Sequence, residues 1–158
     1  MSNKLIINDL ECFRGEKIIF KRLSCNIESN QTVLIRGTNG SGKTSFLRTI
    51  AGYINKYNGT ILFNDNDLHH EKSLLSNFQF IGQKNSLKEN LTVLQNIEIW
   101  KLIYSSKKNI NEILEHLDIG SLLNKDINSL SDGQKKRVSL SRLLLSNSIV
   151  WLLDEPLV

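Results

Sequence analysis

The segment Gly37-Thr38-Asn39-Gly40-Ser41-Gly42-Lys43-Thr44 decides the fold. It matches the phosphate-binding loop pattern G-x-x-x-x-G-K-[ST]. The apolar run QTVLIR before it (31–36) predicts a strand, and TSFLRTIA after it (44–51) predicts a helix that ends at Gly52. A strand, a glycine-rich loop and a helix in this order predict an α/β core that binds phosphates at the positive end of the helix.

The loop pattern assigns chemistry to individual residues. In such loops the backbone N–H groups surround the β-phosphate, the lysine reaches the β- and γ-phosphates, and the last hydroxyl ligates Mg²⁺. Lys43 is therefore a predicted catalytic residue as well as a binding residue, and Thr44 is a predicted metal ligand. The predicted phosphate-binding residues are Gly37, Thr38, Asn39, Gly40, Ser41, Gly42, Lys43 and Thr44.

A second motif is the apolar run Ile149 to Leu153, which ends in Asp154-Glu155. The run predicts a strand covered on both faces. Its acids would then lie at the carboxyl edge of the sheet, beside the phosphate loop. We predict that Asp154 holds Mg²⁺ through its water shell and that Glu155 is the general base for the attacking water. Taken alone, a buried strand that ends in solvated acids explains the run as well.

A third motif is Leu130-Ser131-Asp132-Gly133-Gln134. Ser131 and Gln134 have capping-box spacing, which predicts the start of a helix whose amino end is a second anion site. One triphosphate does not need two sites in one chain. We therefore predict that Ser131, Gly133 and Gln134 contact the nucleotide of another subunit, an ordinary capped surface helix being the alternative. The following Lys135-Lys136-Arg137 predicts a solvated basic face.

The rest of the chain predicts short strands and a helical segment between them. Thr92 and Gln95 have capping-box spacing, which predicts a helix that continues through Ile103. Another helix is predicted by apolar residues spaced three, one and three apart, at Ile110, Ile113, Leu114 and Leu117. Further short strands are predicted at 4–9, 17–20, 60–63 and 78–81.

The composition is that of a folded globular domain. The chain has 158 residues, 40% of them hydrophobic, and a net charge of +4 that does not by itself select phosphates, RNA or a membrane. No apolar run approaches the ~18 residues of a membrane span, and the start MSNKLIINDL does not fit a secretory signal. A single alanine and a single proline beside abundant Ile, Asn and Lys indicate an AT-rich genome, such as that of an organelle or endosymbiont.

The three motifs together resemble those of the ATP-binding cassette ATPases, whose signature LSGGQ stands here as LSDGQ. The resemblance runs from residue 5 to residue 156. It implies ATP and Mg²⁺ as ligands, and a P-loop α/β core with a small antiparallel amino-terminal sheet and an inserted helical subdomain. It further implies a homodimer in which two copies enclose two nucleotides between loop and signature.

Two more residues match the family. Gln83, in FIGQ, matches the glutamine that links the core to the helical subdomain, which implies a Mg²⁺ ligand and a catalytic role. Phe13 matches the aromatic residue that stacks on adenine, with a core aromatic as the alternative. The implied layout is one domain over 1–158, with a core at 1–82, a helical subdomain and signature helix at 83–145, and the acid strand at 146–158.

Within the family the chain is similar to the ATP-binding subunits of the haem exporter of cytochrome c maturation. The similar stretches are IRGTNGSGKTSFLRTIAGY (35–53), FIGQKNSLKENLTVLQNI (80–97) and LSDGQKKRVSLSRLLLSNSIVWLLDEP (130–156). This implies a transport-coupled ATPase with transmembrane permease subunits as partners and no nucleic acid. Its place would be the inner face of a bacterial cytoplasmic membrane or of the mitochondrial inner membrane.

Three departures from the family bear on activity. Thr38 replaces a proline, which loop chemistry carried by backbone N–H groups tolerates, and Asp132 brings a negative charge where the signature has glycine. The sequence also stops before the family's interface loop and switch histidine, and His69, His70 and His116 do not replace that histidine by position.

These departures leave two alternatives to the haem-exporter ATPase. One is a nucleotide-binding structural or regulatory module with little hydrolysis, and the other is the ATPase subunit of another exporter. A soluble cassette ATPase that acts on DNA or ribosomes is disfavoured, because such proteins carry two cassettes or long insertions and this chain has room for neither.

Overall fold

The computed structural model describes residues 3–55 and 58–156, apart from the side chain of Arg14. The chain divides into two compact units, Met1–Phe80 and Ile81–Val158. No helix within the described ranges is long and apolar enough to cross a bilayer.

The first unit contains an antiparallel sheet of four strands in the order β2-β1-β3-β4. The strands are β1 (Lys4–Arg14), β2 (Lys17–Glu28), β3 (Asn58–Phe63) and β4 (Asn66–Asp67). The strands predicted at 4–9, 17–20 and 60–63 are confirmed, and the first two extend further than the sequence pattern indicates.

A bulge in β1 changes which side chains reach the core. Leu5 and Ile7 are buried in the first half of the strand, and Leu10 and Cys12 in the second. The pairing with β2 shifts between Ile7 and Leu10, and Asp9 has a φ of 44°. One extra residue moves the burial from odd to even positions, so both halves of the strand face the core.

Helix α1 (Lys43–Ile50) packs on this sheet through its apolar face. Phe46, Leu47 and Ile50 are buried, and the Phe46 ring contacts the ring of Phe20 on β2 edge to face at 5.7 Å between centroids. The helix ends just before Gly52, whose φ of 76° is a conformation that glycine adopts easily. The predicted helix at 44–51 is therefore confirmed within one residue.

The strand predicted at 31–36 is wrong, because the structure has no secondary structure over residues 31–38. An apolar run becomes a strand only when neighbouring strands take up its N–H and C=O groups. None of the sheet strands within 3–55 and 58–156 pairs with this segment. Val33 and Leu34 consequently remain 50% and 71% exposed.

The second unit is mainly helical, with α2 (Val93–Ile103), α3 (Ile110–His116) and α4 (Asp132–Leu145). Strand β5 (Phe78–Ile81) ends where this unit begins, and strand β6 (Val150–Leu153) follows α4. Both predicted capping boxes are confirmed at the starts of α2 and α4. The buried core of the helical segment consists of Val93, Ile97, Trp100, Ile113, Leu114, Ile119, Leu122, Ile127, Leu130, Val138 and Leu145.

Asn96 is the polar anchor of the segment that leads into α2. Its side chain is 2% exposed, and its Oδ1 accepts from the Lys88 backbone N–H at 2.8 Å. Its Nδ2 donates to the carbonyls of Lys88 and Thr92 at 3.1 and 2.9 Å. The two bonds to Lys88 hold that residue, five positions after Gln83, against the helix.

We expect Asn96→Ala to lower the free energy of unfolding by about 2–4 kcal/mol, because it removes a buried side chain together with its three hydrogen bonds to the backbone of Lys88 and Thr92. The measurement is the urea midpoint of the variant against wild type. Asn90→Ala, at an exposed loop position, is the matched control and should leave the midpoint unchanged. Equal midpoints for the Asn96 variant and wild type would contradict the anchoring role.

Candidate functional site

The phosphate loop ends at the amino terminus of α1, where Gly42 is the N-cap residue with a φ of 97°. The Ser41 N–H donates to the Thr38 carbonyl at 3.2 Å and closes the turn. No acidic residue lies in the first turn of α1, so the positive end of the helix dipole is not neutralised from its own helix. The loop is therefore suited to bind an anion.

The Lys43 ammonium lies across the loop. Its Nζ donates to the carbonyl oxygens of Gly37 at 2.8 Å and Thr38 at 3.0 Å. These are neutral acceptors, and phosphate oxygens bind an ammonium more strongly because both partners are charged. The lysine is thus held near the place where phosphate oxygens would bind, and Gly37 and Thr38 orient it.

The β1–β2 hairpin runs beside the loop. A Cβ on Gly42 would lie 2.8 Å from Ile19 Cγ2 on β2, and the neighbouring Ile18 is opposite Phe13 on β1. Phe13 is half-buried on this hairpin. Phe13 therefore lies on the same hairpin as Ile19, the residue that contacts the phosphate loop at Gly42.

Close approach explains two glycines of the loop. A Cβ on Gly37 would lie 2.5 Å from Ser41 Oγ, so a side chain there would displace the serine. Gly42 and Gly40 both have a positive φ, at 97° and 79°, but a Cβ on Gly40 would meet nothing within 4 Å. The two positions share backbone strain on substitution and differ in steric contact.

We expect Gly42→Ala to weaken nucleotide binding by about tenfold or more, and Gly40→Ala to weaken it less. Both substitutions carry the ~1–2 kcal/mol penalty of a left-handed alanine. Only Gly42→Ala also forces Ile19 and the loop apart. Titration with a fluorescent ATP analogue gives both affinities. Equal losses in the two variants would show that the contact with Ile19 does not matter.

The acidic end of β6 contains one buried and one exposed carboxylate. Asp154 is 4% exposed, and its backbone N–H donates to the Ile81 carbonyl at 2.9 Å. Glu155 is exposed, with a φ of 50° that is strained for a residue other than glycine. The left-handed backbone at Glu155 turns the chain, so the two carboxylates lie in different environments.

Strand β6 itself is covered on one face, so the prediction of a strand covered on both faces is wrong. Leu152 is buried, whereas Ile149 and Trp151 are about half exposed. This alternation is typical of a strand with one solvated face. Unlike residues 31–36, β6 is paired, with β5, so its backbone groups have partners while the Trp151 side is left half exposed in the described part of the chain.

The signature forms the amino end of α4. Ser131 is the N-cap residue, its Oγ accepts from the Gln134 N–H at 3.3 Å, and its N–H donates to Gln134 Oε1 at 3.0 Å. The side-chain oxygen of Gln134, a predicted nucleotide contact, is therefore used to cap the amino end of α4. Ser131 and Gly133 are exposed, and Asp132 places a negative charge in the first turn.

Sequence reasoning missed Lys136, which the basic run 135–137 predicts to be solvated. Lys136 is only 4% exposed, and its Nζ donates to the Gly82 carbonyl at 3.1 Å. Arg137 pairs with the Asp118 carboxylate at 3.0 Å. The helical period could have predicted this burial, because positions 136, 139 and 143 lie on one face of α4 and are all buried.

The environment of Lys136 links it to the acidic end of β6. Burial lowers the pKa of Lys136 below its ordinary value, and the guanidinium of Arg142 acts in the same direction. The negative charges of Asp154 and Glu155 oppose this shift. The ammonium therefore lies within the electrostatic reach of both carboxylates.

Gln83 is exposed and follows Gly82 directly, so it comes immediately after the carbonyls of Ile81 and Gly82. In the second unit, Gln83, Asp154 and Glu155 thus share one region through the bonds of Asp154 and Lys136 to these carbonyls. The phosphate loop and Phe13 belong to the first unit.

Comparison with known proteins identifies the family. The family model for ABC transporters matches residues 20–158. The cytochrome c biogenesis ATP-binding export protein CcmA of Wolbachia pipientis wMel is 42% identical over 149 residues, which is 94% of this chain and 72% of that protein. The protein of the same name from Reclinomonas americana is 37% identical over 159 residues, covering 98% of this chain and 71% of that protein.

Solved structures confirm the predicted P-loop α/β fold with its small antiparallel sheet. A putative ABC transporter ATP-binding protein from Pyrococcus furiosus superposes with a TM-score of 0.87 at 31% identity, covering 98% of this chain and 76% of that one. A bacterial Atm1-family ABC exporter with ATP bound gives 0.85 at 21% identity, covering 99% of this chain and 30% of that one, and supports the fold alone. The chain belongs to the ABC transporter family of ATPases, in the group of the CcmA ATP-binding export proteins of cytochrome c biogenesis.

Proposed function

We propose that the chain binds and hydrolyses ATP to drive a membrane exporter that serves cytochrome c biogenesis, with haem as the exported molecule. The ATPase class follows from family membership. The observation that carries the finer proposal is the 42% identity to a CcmA protein over 94% of the chain. The loop, signature and acid strand supply the residues for each step.

ATP binding is assigned to the phosphate loop and the hairpin beside it. The N–H groups from Gly37 to Thr44 surround the phosphates, and Lys43 exchanges its two carbonyl contacts for phosphate oxygens. Phe13 stacks on the adenine. The un-neutralised amino end of α1 adds attraction for the negative charge.

The oxygen donors on the chain fit Mg²⁺. A hydroxyl at Thr44, an amide oxygen at Gln83 and a carboxylate at Asp154 are the ligand types that a hard cation prefers. The described residues contain no cluster of three or more His, Cys, Asp or Glu side chains, and Mg²⁺ commonly uses few protein ligands beside water and phosphate oxygens. When bound, the ion would neutralise charge on the β- and γ-phosphate oxygens.

Glu155 is proposed as the general base. Its carboxylate is exposed, whereas that of Asp154 is buried, so the two acids divide the roles of water activation and ion binding. Gln83 contributes to catalysis by reporting the bound nucleotide to the helical segment that follows it.

The ATPase is proposed to act as a homodimer. Ser131 and Gly133 at the exposed end of α4 contact the γ-phosphate held by the second copy, and the helix dipole favours that contact. Asp132 lies in the same turn, and its negative charge opposes the approach of a phosphate. We infer that closure of this dimer is weaker than it would be with glycine at position 132.

The partners and the place in the cell follow from the same proposal. Transmembrane permease subunits supply the membrane path, and the chain docks on them at the inner face of a bacterial cytoplasmic membrane or of the mitochondrial inner membrane. The names of the relatives, which are ATP-binding export proteins, support this arrangement. Nucleic acid has no part in it.

The experiment that tests the export function replaces the endogenous copy with Glu155→Gln in the native organism. We expect c-type cytochromes to lose their covalently bound haem while b-type cytochromes keep theirs, because only the former depend on this pathway. Haem staining of denaturing gels and difference spectra measure the two classes. Normal c-type cytochromes would overturn the haem assignment and leave the ATPase class in place.

A further inference from the structure

We propose that Lys136 is a positioning residue that ties the signature helix to the backbone next to Gln83. Through this tie, nucleotide contact at Ser131 changes the positions of Gln83 and of the catalytic acids. This rests on the proposed function, because it assumes that the signature contacts nucleotide and that Gln83 senses it. Lys136 belongs to none of the three motifs, which are the phosphate loop, the signature and the acid pair, so the proposal adds a residue to them.

The tie is a hydrogen bond between elements far apart in sequence. The Lys136 Nζ on α4 donates at 3.1 Å to the carbonyl of Gly82, 54 positions earlier in the chain. The preceding carbonyl, that of Ile81, accepts from the Asp154 N–H at 2.9 Å. Two consecutive carbonyls before Gln83 are therefore held from two sides, one by the signature helix and one by the residue that carries the buried carboxylate.

Burial makes the lysine an unusual choice at this position. A buried ammonium loses its hydration, and lysine is rarely fully buried unless it is paired. A leucine would fill the face of α4 that Ser139 and Leu143 share without that penalty. The negative charges of Asp154 and Glu155 and the Gly82 carbonyl are what favour an ammonium here.

The consequence is a mechanical link along a rigid helix. Ser131 and Lys136 lie five residues apart on α4 and its cap, so a shift of the signature end moves the ammonium. The ammonium in turn holds Gly82, the residue before Gln83. Without the Lys136 ammonium, the backbone at Gln83 would no longer be held in a fixed position relative to Asp154 and Glu155.

The test compares Lys136→Met, Lys136→Arg and Lys135→Met in the ATPase purified with its membrane partners. Lys135→Met is the matched control, because it removes a neighbouring ammonium that does not contact Gly82. We expect Lys136→Met to lower kcat about tenfold while the ATP dissociation constant stays within about threefold. Lys136→Arg should recover at least about half of the wild-type rate, since a guanidinium also donates to a carbonyl.

Hydrogen exchange supplies a readout that a merely structural role would not move. The amides of residues 81–86 should exchange at least about threefold faster in Lys136→Met, with the phosphate-loop amides unchanged, because local opening sets exchange rates. A wild-type rate in Lys136→Met would overturn the proposal. The proposal would also be overturned if kcat in Lys136→Met fell only in proportion to the fraction of folded protein, if Lys136→Arg did not restore the rate, and if residues 81–86 did not exchange faster.

The two proposals fail in different ways. If the wild-type complex does not hydrolyse ATP, the proposed function fails, while hydrogen exchange still decides whether Lys136 holds the Gln83 segment. If the wild type hydrolyses ATP and Lys136→Met has the same rate and the same hydrogen exchange, the proposed ATPase activity is supported and the positioning role of Lys136 is wrong.

Discussion

Glu155→Gln is expected to lower kcat for ATP hydrolysis by about 10²–10⁴-fold and to leave ATP affinity within a few fold. Glutamine keeps the size and hydrogen-bonding reach of the side chain but cannot accept a proton from water. Glu155 is exposed and belongs to neither the phosphate loop nor the signature, so binding should survive. Nucleotide should therefore remain bound without turning over.

The measurement combines a phosphate-release assay with the amount of ATP retained after rapid gel filtration. Glu115→Gln, an exposed glutamate on α3, is the matched control and should turn over at the wild-type rate. A Glu155→Gln variant that hydrolyses within about threefold of wild type would show that another group activates the water.

Lys43→Met is expected to weaken ATP binding by about 100-fold, with hydrolysis lost at cellular ATP concentrations. The ammonium lies between the Gly37 and Thr38 carbonyls, so it needs little movement to reach phosphate oxygens. A hydrogen bond to a charged group contributes about 1.5–3 kcal/mol, and a 100-fold loss is about 2.7 kcal/mol. Methionine keeps the length and the apolar stem of the side chain and removes only the charge and donors.

The affinities come from titration of wild type and variant with ATP and Mg²⁺ by calorimetry. Arg48→Met removes an exposed cation from the last turn of the same helix and should leave the affinity unchanged. An equal, small loss in both variants would mean that general positive charge, and not the placement of Lys43, holds the nucleotide.

Local rules predicted the parts of the structure that depend on neighbours in sequence. The capping boxes at Thr92 and Ser131 begin helices where their spacing indicates, because the bonds that satisfy the first N–H groups are made within four residues. The phosphate loop is similar, since Gly42 and Lys43 act at the first residues of α1. The resemblance to the family rested on these same segments.

The segment 31–36 and the open face of β6 could not be predicted in this way. An apolar run indicates burial, but strand pairing depends on residues elsewhere in the chain. Val33 is exposed for this reason, although its sequence indicates a buried strand. Trp151 is exposed although β6 pairs with β5, because pairing does not decide which face of a strand is covered. The pattern of apolar residues alone does not show which face of a strand other parts of the chain will cover.

Lys136 was missed because residue type outweighed position. A lysine between two basic residues usually lies in water, and composition favours a solvated face. The helical period places it with Ser139 and Leu143 on the buried face, and its partners come from residues 82, 154 and 155. Such long-range pairing becomes visible only in the folded chain.

The central claim is that this chain is the ATPase of an export complex and does more than hold nucleotide. The direct measurement is ATP turnover by the wild-type chain purified from its native membranes with its bound partners. We predict continuous hydrolysis over many turnovers that stops when EDTA removes Mg²⁺. Stoichiometric ATP binding with no release of phosphate would contradict the account and identify the chain as a nucleotide-binding module.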